Sequence, residues 1–266
     1  LPLIAVTSPK SAAFNSFQGL ADGIPLPGKF TFPFNYTPHP LSILASQLLQ
    51  AHLRTQAEWK HNFGLGEDNI AVIGKMFGVL VVIAADGELG YLSAFSGKLA
   101  GSNYHGGFVP PIFDGLKDGG FLNAGMEQLS LMSAEISQLL QSDDVLDNKK
   151  VAELKLRRKN HSVLLQNKIF DQYHFLNQAG VEKSLRNIFS DASCKSPPAG
   201  AGECAAPKLL QYAFRQQMKP IALAEFWWGA SPKSTHWKHQ EFYPSCKEKC
   251  VPILTHMLEG IELDEV

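Results

Sequence analysis

Residues Met76–Ala85, MFGVLVVIAA, are an unbroken apolar run rich in β-branched side chains. A stretch this short and this continuous predicts a strand buried on both faces. Asp86-Gly87 follows at once and predicts a two-residue type I′ turn, after which ELGYLSAFSGKL (88–99) supplies the return strand. KPIALAEFWWG (219–229) is a third apolar strand. Such a sheet needs covering layers, and the chain offers helices for them. Leu41, Leu44, Leu48, Leu49 and Leu53 recur at helical spacing between Leu41 and about His61. A second helix runs from about Glu203 to Gln217, with Ala206, Leu209, Leu210 and Ala213 inward and Pro207 accommodated in its first turn. A third buries Leu254, Met257 and Leu258 and stops at Gly260.

These elements predict an α+β domain: a small sheet (76–85, 88–99, 219–229) covered by helices, in the order α-β-β-α-β-α once an insertion is left out. Prolines at 25, 27, 33, 38 and 40 make residues 1–40 an extended, aromatic-rich arm. The core is assigned to 41–125 and 190–260. Residues 126–189 read as an inserted helical hairpin, with Leu129, Met132, Ile136 and Leu139 on one helical face and Leu165, Ile169, Tyr173 and Leu176 on another. Residues 261–266 are acidic and read as the start of a linker.

Of the 266 residues, 45% are hydrophobic and 18% charged, against a usual charged share of about 25%, which excludes disorder as a description of the whole chain. Lys+Arg (24) and Asp+Glu (25) nearly cancel, so net charge points to no polyanionic partner. Charge is local instead: between 149 and 168 there are seven Lys/Arg against one Glu. Lys149, Lys150, Lys155, Arg157, Arg158 and Lys159 are either a solvated helix face or a phosphate-contacting one. No apolar run approaches the roughly 18 residues that cross a bilayer, and the start, Leu1–Val6, has no secretory signature. The expected setting is the cytoplasm, with no membrane partner. No phosphate-loop motif is present, so no nucleotide cofactor is expected.

The chemistry-bearing residues are the cysteines. Four in 266 residues are too few for a disulfide scaffold. Cys204 stands at the start of the second helix, and Cys246 and Cys250 at the start of the third. Helix N-termini lower thiol pKa values through unpaired N–H groups and the dipole, which suits zinc ligation. Cys194, His236 or His239 are available as a fourth ligand. Three readings stand side by side: packed thiols, a structural zinc, and a zinc with one position open for water.

The element order and these positions resemble the zinc-dependent nucleoside and nucleobase deaminases. That resemblance implies Cys204 as first ligand and Cys246 and Cys250 as the pair, although the pair is C-x3-C rather than C-x2-C. The deaminases also carry a proton-shuttling Glu two residues after the first ligand, where this chain has Ala206; Glu203 and Glu225 are the carboxylates left to replace it. A second resemblance rests on FTFPFNYTPHPL, GKMFGVLVV, GYLSAFSGKLA, FVPPIFD, PPAGAGECAAPKLLQYAF, KPIALAEFWWG and FYPSCKEKCVPILTHMLEG. Together they resemble the long N-terminal region of a bacterial subgroup of RluA-type pseudouridine synthases. This implies an accessory domain, RNA-positioning or structural, ahead of a catalytic domain that isomerises uridine in structured RNA (rRNA or tRNA). The H-R-L-D segment of that catalytic domain is absent here. A protein-interaction module is the remaining alternative.

Overall fold

A computed structural model describes residues 12–66, 73–115, 117, 119–141, 145–192, 196–232 and 236–264. In it the apolar run is a central strand with six consecutive buried residues, Phe77–Val82. The elements are β1 (Phe14–Ser16), α1 (Pro40–Thr55), β2 (Lys75–Ile83), β3 (Leu89–Phe95), α2 (Phe121–Leu139), α3 (Val145–Phe170), β4 (His174–Leu176), β5 (Glu182–Ser184), α4 (Leu185–Asp191), α5 (Ala205–Arg215), β6 (Lys219–Trp228) and α6 (Lys247–Met257). Four strands form one antiparallel sheet in the order β1-β3-β2-β6, and β4 pairs with β5 in a separate ribbon.

Strand alternation distributes the core between two faces. Phe77, Val79 and Val81 of β2 pack with Leu41, Ala45, Leu49 and Leu53 of α1. Leu80 and Val82 face the other way, against Leu209 and Ala213 of α5 and Ile253, Leu254 and Met257 of α6. The sheet is thus sandwiched between helices, which is why β2 carries no polar face. With the intervening segments set aside, the order α1-β2-β3-α5-β6-α6 is the one expected.

Four local features differ from the sequence reading. The β2–β3 connection is a three-residue loop rather than a two-residue turn: Ala84 N–H donates to the Glu88 carbonyl, Gly87 N–H donates to the Ala84 carbonyl, and Gly87 takes φ 86°. Gly supplies that left-handed position without strain. The arm contributes an edge strand, β1, and Phe30 N–H donates to the Glu262 carbonyl while Asp264 N–H donates to Phe30, so residues 262–264 are tied to the arm by backbone pairing. The basic segment is one helix, α3, packed on α2 around Ile136, Val151 and Leu154. That hairpin ends at Phe170; Tyr173, Phe175, Leu185, Ile188 and Phe189 belong to the main core. Tyr173 and Leu176 continue the helical spacing of Leu165 and Ile169 only numerically, because the chain has already turned into β4.

One close approach positions the rest. A side chain at Gly78 would place its Cβ 2.9 Å from the Ala205 Cβ and 3.1 Å from Leu209, so α5 sits on the sheet only because residue 78 has none. Gly78→Ala is therefore expected to lower stability by about 1–3 kcal/mol through overpacking, measured by urea denaturation. A change under about 0.5 kcal/mol would show that α5 has room to shift.

Candidate metal centre

Helices α5 and α6 begin beside one another. Cys204 is the N-cap of α5 and Cys246 the N-cap of α6. Both sulfurs are turned toward each other. Cys250, one turn into α6, completes the group: Cys246 Sγ lies 3.5 Å from Cys250 Sγ and 3.8 Å from Cys204 Sγ. All three sulfurs fall within 4.8 Å of one another. A tetrahedral ion with Zn–S near 2.3 Å separates its sulfurs by about 3.8 Å, so the donor set fits a metal ion. Cys250 is buried, Cys204 half-buried and Cys246 exposed. Hydrogen bonds from the thiols of Cys204 and Cys250, then the N–H groups of Lys249 and Cys250, push Cys246 far below the usual thiol range. Hydrogen bonding to that sulfur pushes Cys204 up. Hydrogen bonding to Cys204 and Cys246, with burial, does the same to Cys250.

A cavity of about 360 Å³ opens over this group, walled by Met76, Glu225, Trp227, Trp237, Cys204 and Cys246 among others. Glu225 projects from β6, opposite Gly78 in the strand register, and is 3% exposed. Its carboxylate accepts from the Ser245 hydroxyl and from the backbone N–H of Ala206. Burial pushes it up to about 7.

The structure separates the sequence candidates. Glu225 shares the cavity with the thiols. Glu203 instead accepts the Tyr173 hydroxyl at 3.2 Å and lines a different cavity. As fourth ligands, His236 and His239 are not brought to the site: His239 Nδ1 accepts from Gly229 N–H at 3.0 Å and its ring packs on Trp228, while His236 faces the rings of Trp237 and Tyr243. From the same loop it is Trp237, stacked on Trp227, that reaches the cavity wall. Cys194 lies outside the described residues. Sequence reasoning passed over Ser245, although it directly precedes Cys246, and Gly78, whose role depends on strand register.

All seven Lys and Arg residues of α3 are exposed. Lys150 pairs with Glu135 at 3.0 Å and Arg158 donates to Ser133 Oγ at 2.8 Å, so these two serve the α2–α3 contact. Lys155 and Lys159, four apart, share one flank of the helix, and Arg157 lies on the other. No helix among the described residues is long and apolar enough to cross a membrane. No protein-family model, curated protein or solved structure matches this chain.

Glu225 carries a pH signature. Its folded pKa of about 7 stands above the ordinary 4.5, so the native state keeps a proton that the unfolded state has released. Stability therefore falls as pH rises from about 4.5 through 7, by up to about 3 kcal/mol. In protein stripped of metal, Glu225→Gln is expected to leave stability near the parent's at pH 4.5. At pH 8 it should exceed the parent by about 2–3 kcal/mol. A gap that does not change with pH, read by chemical denaturation at both values, would contradict the assignment.

Proposed function

We propose that this chain is an accessory domain of an RluA-type, RNA-modifying protein and carries its own zinc centre of the hydrolytic deaminase type. The observation that carries the reading is one wall: Cys204 and Cys246, two of three sulfurs at ligand separation, line the same cavity as a buried carboxyl. In the deaminases that the chain resembles, the proton-carrying Glu stands at the position of Ala206. Here the Glu225 carboxylate accepts a hydrogen bond from the N–H of Ala206 itself. A carboxylate from β6 thus stands beside the residue where the helix no longer supplies one.

Cys204, Cys246 and Cys250 would hold zinc, which when bound supplies a Lewis acid with a fourth position open to water. The substrate class is a nucleobase with an exocyclic amine. Water adds to the amine-bearing carbon; Glu225 takes a proton from the water and returns one to the amine. The C–N bond breaks, ammonia leaves and a carbonyl remains. A carboxyl near pKa 7 suits both transfers at neutral pH. Met76 and Trp227 supply an apolar wall against which a flat base can lie.

Elemental analysis of protein purified under reducing, chelator-free conditions should give about one zinc per chain, lost in Cys204→Ser and Cys246→Ser. Ammonia release from RNA oligonucleotides containing cytidine or adenosine should fall at least about 100-fold in Glu225→Gln, with zinc retained. Zinc without ammonia release would leave a structural metal; no zinc would end the metal reading.

RNA positioning is the second reading, favoured by the exposure of Lys149, Lys155, Arg157 and Lys159. Phosphate contacts there would hold an RNA backbone without reading sequence. Replacing Lys155, Arg157 and Lys159 with Glu should weaken RNA binding and flatten its salt dependence in a filter-binding titration. Unchanged affinity assigns the segment to a solvated face.

A further inference from the structure

We propose that a second cavity, bordering the α5 start through Gly202, Glu203 and Lys208, binds a small organic oxyanion: a carboxylate or phosphate ester with a flat or short apolar body. The cavity measures about 250 Å³, just under the roughly 300–1,000 Å³ of drug-sized sites. Its polar groups include Lys98, Lys208, Asn103, Tyr173 and Glu203.

Lys208 decides the chemistry. It is 4% exposed, and its Nζ donates to the carbonyls of Phe95 and Gly97, both at 3.0 Å. An ammonium has three N–H groups; besides these carbonyls Nζ meets only the Phe95 ring, 5.1 Å from its centroid. Among the described residues the third N–H has no oxygen or nitrogen acceptor, and no carboxylate lies within ion-pair distance of Lys208. Buried charges are ordinarily paired. Burial pushes the Lys208 pKa down to about 8 and the field of Glu203 opposes that shift, so the group is still largely protonated at neutral pH. Lys98 adds a second ammonium to the wall.

The one carboxylate among these polar groups, Glu203, is engaged by the Tyr173 hydroxyl. Two ammoniums and one carboxylate leave the wall with one net positive charge. That charge selects against cations. The asparagine amide is also committed, since Asn103 Nδ2 donates to Asp114 at 3.0 Å. The remaining wall is apolar, built from Ile112, Phe113 and Leu122, which suits a hydrocarbon or aromatic body better than a sugar. Backbone comes close because glycine permits it: Gly202 has φ 92°, and a Cβ there would lie 2.7 Å from the Tyr173 ring.

The test is a titration of the full chain, followed by calorimetry and by amide NMR shifts of Gly97 and Gly202, with benzoate, phenyl phosphate and neutral benzyl alcohol. Saturable binding of benzoate or phenyl phosphate is expected at millimolar or lower concentration, with no binding of benzyl alcohol. Whichever anion binds more tightly identifies the head group. Lys98→Ala should weaken binding at least fivefold and Lys208→Met at least tenfold. Lys98 is exposed, so its variant keeps the test valid if Lys208→Met fails to fold. Equal binding of benzyl alcohol, indifference to Lys98→Ala, or no saturable binding of either anion would overturn the proposal.

Discussion

A missing side chain at position 78 sets the geometry on which the thiol-lined cavity depends. With only hydrogen there, α5 approaches β2 closely enough for Ala205 to rest on the sheet, and the Glu225 side chain passes alongside: the Cβ that Gly78 lacks would sit 3.4 Å from the Glu225 Cγ. The carboxylate then reaches the Ala206 N–H at the start of α5 and the Ser245 hydroxyl ahead of α6. One acid thereby links the sheet to both helix starts. Because those two donors replace water, the carboxyl tolerates full burial, though still at a raised pKa. A bulkier residue at 78 would separate all three partners.

The two helix starts would remain apart without loops that return the chain to the same end of the sheet. β6 ends at Trp228, and the following segment folds back on it: Trp227 N–H donates to the Glu241 carbonyl and Tyr243 N–H to the Glu225 carbonyl. The Tyr36 hydroxyl, from the arm, accepts from Glu225 N–H and donates to the Tyr243 carbonyl. Residues 241–243 are therefore held along β6 by backbone bonds, Ser245 N–H donates to the Pro33 carbonyl of the arm, and Ser245 and Cys246 arrive beside Glu225 in fixed register. The proline-rich part of the arm thus supplies one of the clamps.

Legibility in the sequence followed the physics of each element. β2, β3 and β6 were legible because burial on both faces leaves a continuous apolar run, and α1, α5 and α6 because one-sided burial leaves a 3.6-residue period. β1 and β4 are three residues each, too short for a period, and the Tyr173–Leu176 stretch mimicked helical spacing. The cysteines were readable as a trio because helix starts are local features. That Glu225 rather than Glu203 joins them was not, because the choice depends on the pairing of Glu225 with Gly78 across strands nearly 150 positions apart. Lys208 left even less trace, since a lysine amid alanines and leucines reads as the polar side of an amphipathic helix.

Its burial has a local explanation. Side chains on a helix lean toward its N-terminus, so Lys208, four residues after Cys204, climbs back to the level of the helix start. There β3 ends and the chain turns through Gly97, whose φ is 60°, leaving the carbonyls of Phe95 and Gly97 directed inward. The helix dipole would favour anions at this end, and three thiols with a carboxyl occupy part of it. Toward the second cavity the lysine reverses the sign, and its ammonium satisfies carbonyls that a strand end would otherwise bury without donors. The same group closes the strand and charges the second cavity, so two recesses of different character share a single helix start.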